Sequence, residues 1–266
     1  MQSIIDGNTR IFAILGDPIS QVKSPAQVTA SLQARSRNAL LVPFHVISSD
    51  FDNFVRSLKA IRNLDGLVVT VPHKFAAFRH CEKTTSRAAF LEAVNVMRPV
   101  SSGTSWEGDM CDGQGFVDAI LKKGGALVGK SALLIGAGGA GTAIGYALLE
   151  AAVARLSIDD IDRARREVLV EKLRVRFGDR VTAGASDLVA VDVLANATPA
   201  GMEKSDEPPI DLDQLRSGMI VGDVVTAKCE TTLVEAARSK GCLVSTGHDM
   251  YQGLQETMVD FLLSSS

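Results

Sequence analysis

Little in this sequence points to a polyanionic partner. Its 28 Lys and Arg are outnumbered by 31 Asp and Glu, for a net charge of −3 at pH 7, so no basic excess is left to neutralise a phosphate backbone. Aromatic residues make up only 5% of the chain, which leaves few platforms for stacked bases. Together these shortages exclude nucleic acid as a partner. The four cysteines, Cys81, Cys111, Cys229 and Cys242, form no C-x-x-C pair and no cluster with metal-ligand spacing. They read as reduced thiols of a cytoplasmic protein, and no metal site is expected. The first residues carry neither a basic stretch nor a long apolar run, so no secretory signal is expected. No internal repeat or low-complexity tract is present, and Ser264–Ser266 reads as a frayed end. The longest uncharged stretch, residues 132–149, approaches the length of a membrane span. Five glycines crowd it and no positively charged flank of the topogenic kind accompanies it, so no membrane association is expected.

That same stretch is the organising element of the chain. Ser131-Ala-Leu-Leu-Ile135 reads as a buried parallel strand. It runs into Gly136-Ala137-Gly138-Gly139-Ala140-Gly141, a G-x-G-x-x-G turn, and then into an Ala- and Leu-rich helix over 142–154. A second apolar segment, 155–158, ends at Asp159-Asp160. Strand, glycine turn, helix, strand and acid make a dinucleotide-binding βαβ fingerprint. Gly136 permits the tight turn, Gly138 lets backbone approach a pyrophosphate, and Gly141 lets helix and strand pack closely. The acid at 159, 18 residues past Gly141 (159 − 141), is placed to accept from the adenosine ribose, where a spacing of about 20 is usual. Just upstream, Gly124-Gly-Ala-Leu-Val-Gly129-Lys130-Ser131 matches the phosphate-loop pattern letter for letter. Such a loop leaves a strand and opens a helix, whereas here Lys130-Ser131 opens a strand, so the match is discounted.

Ahead of this unit, strands are expected over 10–15, 40–47 and 66–71, with a helix over 50–61, which is the alternation of a small α/β domain. The polar loop from Gly16 leads into a helix with Ser24 at a plausible N-cap and Pro25 at the first helical position. His73-Lys74 follows the strand ended by Pro72, at the carboxyl edge where open α/β sheets place ligand chemistry. Either residue is equally readable as packing or solvated surface. Residues 91–96 form an apolar segment around the amide of Asn95, and 108–113 form a turn that opens a helix over 116–122. Asp112 at that opening fits an N-cap. Beyond the fingerprint, 187–196 reads as a further αβ unit, 219–225 as a strand, 232–240 as a helix, 242–245 as an edge strand and 250–263 as a closing helix.

Several segments, in order, resemble the shikimate/quinate dehydrogenases. They are Gly16-Asp-Pro-Ile with Lys23-Ser24-Pro25, Thr70-Val-Pro-His-Lys74, Ala93-Val-Asn95, Gly108-Asp with Asp112-Gly113, Gly136-Ala-Gly-Gly-Ala140, Asn196-Ala-Thr-Pro199 with Gly201-Met202, and Gly222-Asp-Val-Val225. The resemblance implies an α/β protein with an N-terminal α/β substrate domain, residues 1–110 plus 248–266, and a doubly wound Rossmann domain, residues 111–247. It implies Lys74 and Asp112 as the catalytic pair, with Ser24, Thr70, Asn95 and Gln255 on the substrate; Gln252 is the alternative to Gln255. The turn Gly136–Ala140, the segment Ala197-Thr198-Pro199, Val224, Gly247 and Met250 are implied for the cofactor. The sequence also departs from the family's pattern. Valine stands at 22 and at 68, where Ser and Asn are usual, Met110-Cys111 replaces Asn-Thr, and Thr226 replaces Tyr. Each change removes a polar partner, and a site built to hydrogen-bond one polyol rejects others, so the departures predict a substrate other than shikimate itself.

The family's Asn-Arg-Thr, whose arginine clamps the 2′-phosphate of NADP, falls here on Ile158-Asp159-Asp160. Carboxylates accept from the ribose 2′-hydroxyl of NAD and repel that phosphate. Arg163, Arg165 and Arg166 read as a solvated helix face with Glu167 and Glu171 as partners. NAD is the expected cofactor and a small cyclic hydroxy acid the expected substrate, bound by a monomer or homodimer. The competing reading is a non-catalytic NAD-binding sensor on the same fold.

Overall fold

The computed structural model describes residues 5–100, 105–184, 188–202, 206–226 and 230–264. Cys229 and Asp187 lie outside the described residues. The chain divides into two compact units, residues 1–111 with 255–266, and residues 112–254.

The first unit contains β1 (Arg10–Gly16), α1 (Ser24–Ala34), β2 (Ala39–His45), α2 (Phe51–Leu58), β3 (Leu64–Val69), α3 (Lys74–Phe78), β4 (Cys81–Thr84), α4 (Ser86–Leu91), β5 (Val96–Pro99) and β6 (Trp106–Asp109). Its sheet runs in the order β2-β1-β3-β5-β6-β4. The β2, β1 and β3 strands are mutually parallel, while β5 lies antiparallel to both β3 and β6. The run Phe12-Ala-Ile-Leu15 is buried almost completely, as expected of a strand covered on both faces. Strand β2 is an edge, which is where Pro43 is tolerated because no ladder donor is lost. Residues 108–109, expected in a turn, belong instead to β6 and pair with Met97 and Val96. The sequence hid this strand because Gly and Asp are depleted in sheets. Ser264, expected to fray, is held: Arg98 Nη1 donates to its carbonyl at 2.5 Å and to that of Phe261 at 3.0 Å.

The second unit holds α5 (Asp112–Lys122), β7 (Ser131–Ile135), α6 (Gly139–Glu150), β8 (Arg155–Asp159), α7 (Arg163–Phe177), β9 (Val181–Ala183), β10 (Val193–Asn196), β11 (Ile220–Asp223), α8 (Thr232–Ser239) and β12 (Leu243–Ser245). Helix α9 (Gly247–Leu263) starts in this unit and ends in the first. The six strands are all parallel in the order β12-β11-β10-β7-β8-β9. Counted from β7, this is the doubly wound order 3-2-1-4-5-6, whose crevice opens where β7 and β10 part company. Gly141 makes that packing possible, since a Cβ there would overlap the Gly136 carbonyl oxygen. Between β9 and β10 the described residues hold only one 3-10 turn, Leu188–Ala190, rather than a full helix. The phosphate-loop match dissolves in the same way, because Ser131 begins β7 and Lys130 pairs with Asp192 at 3.8 Å. No helix among the described residues is long and apolar enough to cross a membrane, and none of their His, Cys, Asp and Glu cluster as metal ligands.

Candidate active site

In the first unit, the site residues hang on the ends of β1, β3 and β6. Thr70 follows β3; its N–H donates to the Leu15 carbonyl at 2.9 Å, and its own carbonyl accepts from His73 at 3.0 Å. His73 is 2% exposed, stacks on Phe51 at 4.4 Å and contacts the Val46 carbonyl through Nε2 at 2.6 Å. It is a packing histidine that fixes the start of α3. Lys74, half-buried, opens that helix, and its carbonyl accepts from Val94 at 3.1 Å. The backbone at the lysine is therefore held by its own carbonyl and by its neighbour His73.

Asn95 is 3% exposed, and its Oδ1 accepts the Cys111 N–H at 2.9 Å. One end of this amide thus fixes the backbone that leads into Asp112. Nearby in the chain, a buried carboxylate that gave no signal in the sequence is met by a half-buried cation: Arg87 and Thr85 both donate to Asp109. Burial pushes the Asp109 carboxyl up, but Arg87 and Thr85 outweigh it and hold it below the usual carboxylate range. Because its folded value lies below the unfolded one, the stabilisation is complete above the unfolded pKa of about 3.9 and disappears as pH falls through the folded value. Removing the cation with Arg87→Met should cost about 3 kcal/mol at pH 7 by stranding a buried charge. Urea unfolding at pH 7 and pH 3 checks this: the variant's deficit should shrink at the lower pH, which lies below the unfolded pKa, and an equal deficit would contradict it.

Ser24 is buried and begins α1 rather than preceding it; Lys23 occupies the cap position without a capping side-chain bond. Gln255 Nε2 donates to the Gln27 carbonyl at 2.7 Å, so this amide ties α9 to α1, while Gln252 is exposed. The departures from the family's pattern are concentrated in buried positions, with Val68, Met110 and Cys111 at 4%, 5% and 0% exposure.

In the second unit, a cleft of about 740 Å³ opens at the switch point between β7 and β10. Ile135, Gly136 and Gly138 line one side, residues 197–200 the other, and Asp160 and Arg165 one end. Gly136 has φ +101°, in the left-handed region that favours glycine, and packs directly on Ala197. Around Gly138 there is open space, and α6 starts from it with no capping side-chain bond. Its N-terminal N–H groups thus face the cleft as a pyrophosphate requires, so the residues present fit a dinucleotide.

The two acids after β8 play different parts. Asp160, with its side chain 6% exposed, accepts from the Ala137 N–H of the glycine turn at 2.7 Å, from the Asp162 N–H at 2.8 Å and from Arg165 at 3.0 Å. Burial pushes its carboxyl up, yet these donors hold it below the usual carboxylate range. Asp159, 36% exposed, turns to Arg166 at 3.3 Å, and it is not among the residues lining the cleft. Arg165 and Arg166, expected to find Glu167 and Glu171, thus reach back to the acids at the strand end, although Arg166 also holds Glu167 at 2.7 Å. The signal was Asp162, whose side chain caps α7 and so turns its first residues toward the strand. Val224 and Met250 are half-buried. Gly247 is confined by the Val224 and Val225 carbonyl oxygens, and no Cβ would fit there.

A doubly wound sheet with a glycine turn and a carboxylate on that turn, in a chain with a separate α/β unit, has the architecture of the Rossmann-type dinucleotide-binding proteins. Comparison with known proteins narrows this. Residues 14–97 match the family model described as the shikimate dehydrogenase substrate binding domain. A shikimate dehydrogenase (NADP(+)) of Rubrobacter xylanophilus is 34% identical, with 94% of this chain and 90% of that one aligned. The shikimate 5-dehydrogenase of Listeria monocytogenes, solved with shikimate and NAD, superposes with a TM-score of 0.90 at 25% identity, covering 97% of this chain and 93% of that one. The Thermus thermophilus enzyme, solved with NADP(H) and shikimate, gives 0.83 at 26%, covering 96% and 93%. The chain belongs to the shikimate/quinate dehydrogenase family.

Proposed function

We propose that this chain is an NAD-dependent dehydrogenase that exchanges a hydride between the nicotinamide and a secondary hydroxyl of a cyclic hydroxy acid. The observation that carries the cofactor choice is the Asp160 carboxylate, seated on the Ala137 N–H inside the cleft. A 2′-phosphate would meet that charge in a partly desolvated place, where like-charge contacts cost several kcal/mol. Lys74 takes or relays the substrate hydroxyl proton and Asp112 orients it, while Ser24, Thr70, Asn95 and Gln255 hold the remaining polar groups. The glycine turn Gly136–Ala140, with Ala197, Thr198, Pro199, Val224, Gly247 and Met250, holds the dinucleotide. Bound nicotinamide would supply the hydride acceptor. Residues 1–110 with 248–266 serve the substrate and residues 111–247 the cofactor. The relatives named above are all enzymes, so the sensor reading gains no support from them.

The substrate differs from shikimate in its hydroxyl pattern. Apolar side chains at 22, 68 and 110 leave any hydroxyl they face without a partner, and an unpaired polar group in a closed site costs about 1–3 kcal/mol. Incubation with NAD and a panel of shikimate, quinate and analogues lacking single hydroxyls, followed by NADH absorbance, tests this. Turnover is expected, with shikimate not the best member. Tight NAD binding with no turnover of any cyclic hydroxy acid would return the sensor reading.

A further inference from the structure

Asp223, at the end of β11, is 1% exposed, and among the described residues no Lys, Arg or His pairs with it. Three neutral donors serve it instead. Thr231 Oγ1 donates to Oδ2 at 2.7 Å, while the Val225 N–H at 3.0 Å and Asn196 Nδ2 at 3.1 Å both donate to Oδ1. Burial raises its carboxyl above the ordinary range, and the donors only partly oppose that. A buried charge that no described cation meets is costly, yet an amide could not replace it here, because Thr231 and Val225 donate to different oxygens and an amide offers only one.

Nor would a neutral amide fix the next link. Asn196, fully buried, carries its oxygen on one side and its NH2 on the other. Its oxygen accepts from the Thr198 N–H at 3.1 Å and from Thr198 Oγ1 at 2.6 Å, and Thr198 Oγ1 in turn accepts from the Ala200 N–H at 3.2 Å. Turned over, the same amide would present donors to donors and orphan the whole turn. A carboxylate only accepts, so it admits one orientation of Asn196 and forbids the other. Thr198 and Ala200 line the cleft opposite Gly136, and Thr198 Cγ2 sits against that glycine.

We propose that Asp223 is a positioning residue of the dinucleotide site: by fixing the Asn196 amide it sets the wall formed by residues 197–200. The assignment of that cleft to a dinucleotide rests on the function proposed above; the ordering of the wall does not. Neither Asp223 nor Asn196 lines the cleft; both are buried.

An exchange of the two residues tests it. Asn196→Asp alone sets two carboxylates where the structure has a 3.1 Å hydrogen bond, and should weaken NAD binding about tenfold or more. Adding Asp223→Asn restores one donor and one acceptor across the pair but turns its NH2 toward the Val225 N–H, so it should recover a clear part of the lost binding, at least about threefold, without reaching the native value. Thr198→Val, at a half-exposed position that does not endanger folding, should weaken binding severalfold in the same direction. Amide hydrogen exchange at Thr198 and Ala200 reads the wall directly: faster in Asn196→Asp, slowed again in the double variant. Native-like binding in Asn196→Asp and Thr198→Val, or a double variant that recovers neither binding nor protection, overturns the proposal. A purely structural role would lower the unfolding temperature of the variants without this pattern of loss and recovery. A native chain that binds neither NAD nor NADP would sink the proposed function, while the exchange measurement would still decide this inference.

Discussion

Lys74→Ala should lose about 10²–10⁴ of kcat, the range for removing a positioned acid or base, with the dissociation constant for NAD changed by less than about twofold. The second half follows from position. Lys74 stands at the head of α3 in the first unit, and the start of that helix is fixed by His73 on Phe51 and Val46 and by the Val94 N–H on the Lys74 carbonyl. Truncating the side chain leaves those contacts in place, so fold and cofactor cleft should survive. Lys74→Arg sharpens the test. Arginine keeps the positive charge but does not give up its proton, so it should be nearly as inactive as Ala if the lysine moves a proton. Recovery of most activity in Lys74→Arg would show that only the charge matters, and retained turnover in Lys74→Ala would remove the residue from the chemistry.

The second large effect is at the other end of the dinucleotide. Asp160→Ser should lower kcat/KM for NAD and raise it for NADP, shifting their ratio by about 10²-fold, which corresponds to roughly 2.7 kcal/mol. Two consequences of the structure act together. The substitution removes the charge that opposes a 2′-phosphate, and it releases Arg165, now held at 3.0 Å by that carboxylate, to meet the phosphate instead. Asp159→Ser should shift the ratio far less, because Asp159 faces Arg166 away from the cleft. Since the donors around Asp160 hold its carboxyl below the usual range, its charge is kept at pH 5, which lies above the ordinary carboxylate range of about 3.9. The native preference should therefore persist at pH 5. Equal shifts from both substitutions would mean that the general field, and not the contact on the glycine turn, selects the cofactor.

Much of the scaffold was legible because it rests on local patterns. The Rossmann unit announces itself through strand-glycine-helix spacing, and every buried parallel strand there is a short apolar run. The strands that escaped detection, β4, β5, β6 and β9, are only three or four residues long, and segments such as Cys81-Glu-Lys-Thr84 are made strands by their pairing partners rather than by their composition. The acid pair was visible by spacing, but the division of labour between Asp159 and Asp160 was not. That depends on which carboxylate meets the Ala137 N–H, a contact over 23 positions. The Arg87–Asp109 pair and the Asp223–Asn196–Thr198 relay were equally hidden, since each joins residues from separate strand ends or helices whose proximity only the sheet order creates.

The most direct test is a side-by-side titration of the native chain with NADH and NADPH, following nicotinamide fluorescence at physiological salt. Binding of NADH at least about tenfold tighter, equivalent to 1.4 kcal/mol, is the predicted result. NADPH bound as tightly as NADH, or more tightly, would contradict a cofactor site governed by the Asp160 carboxylate.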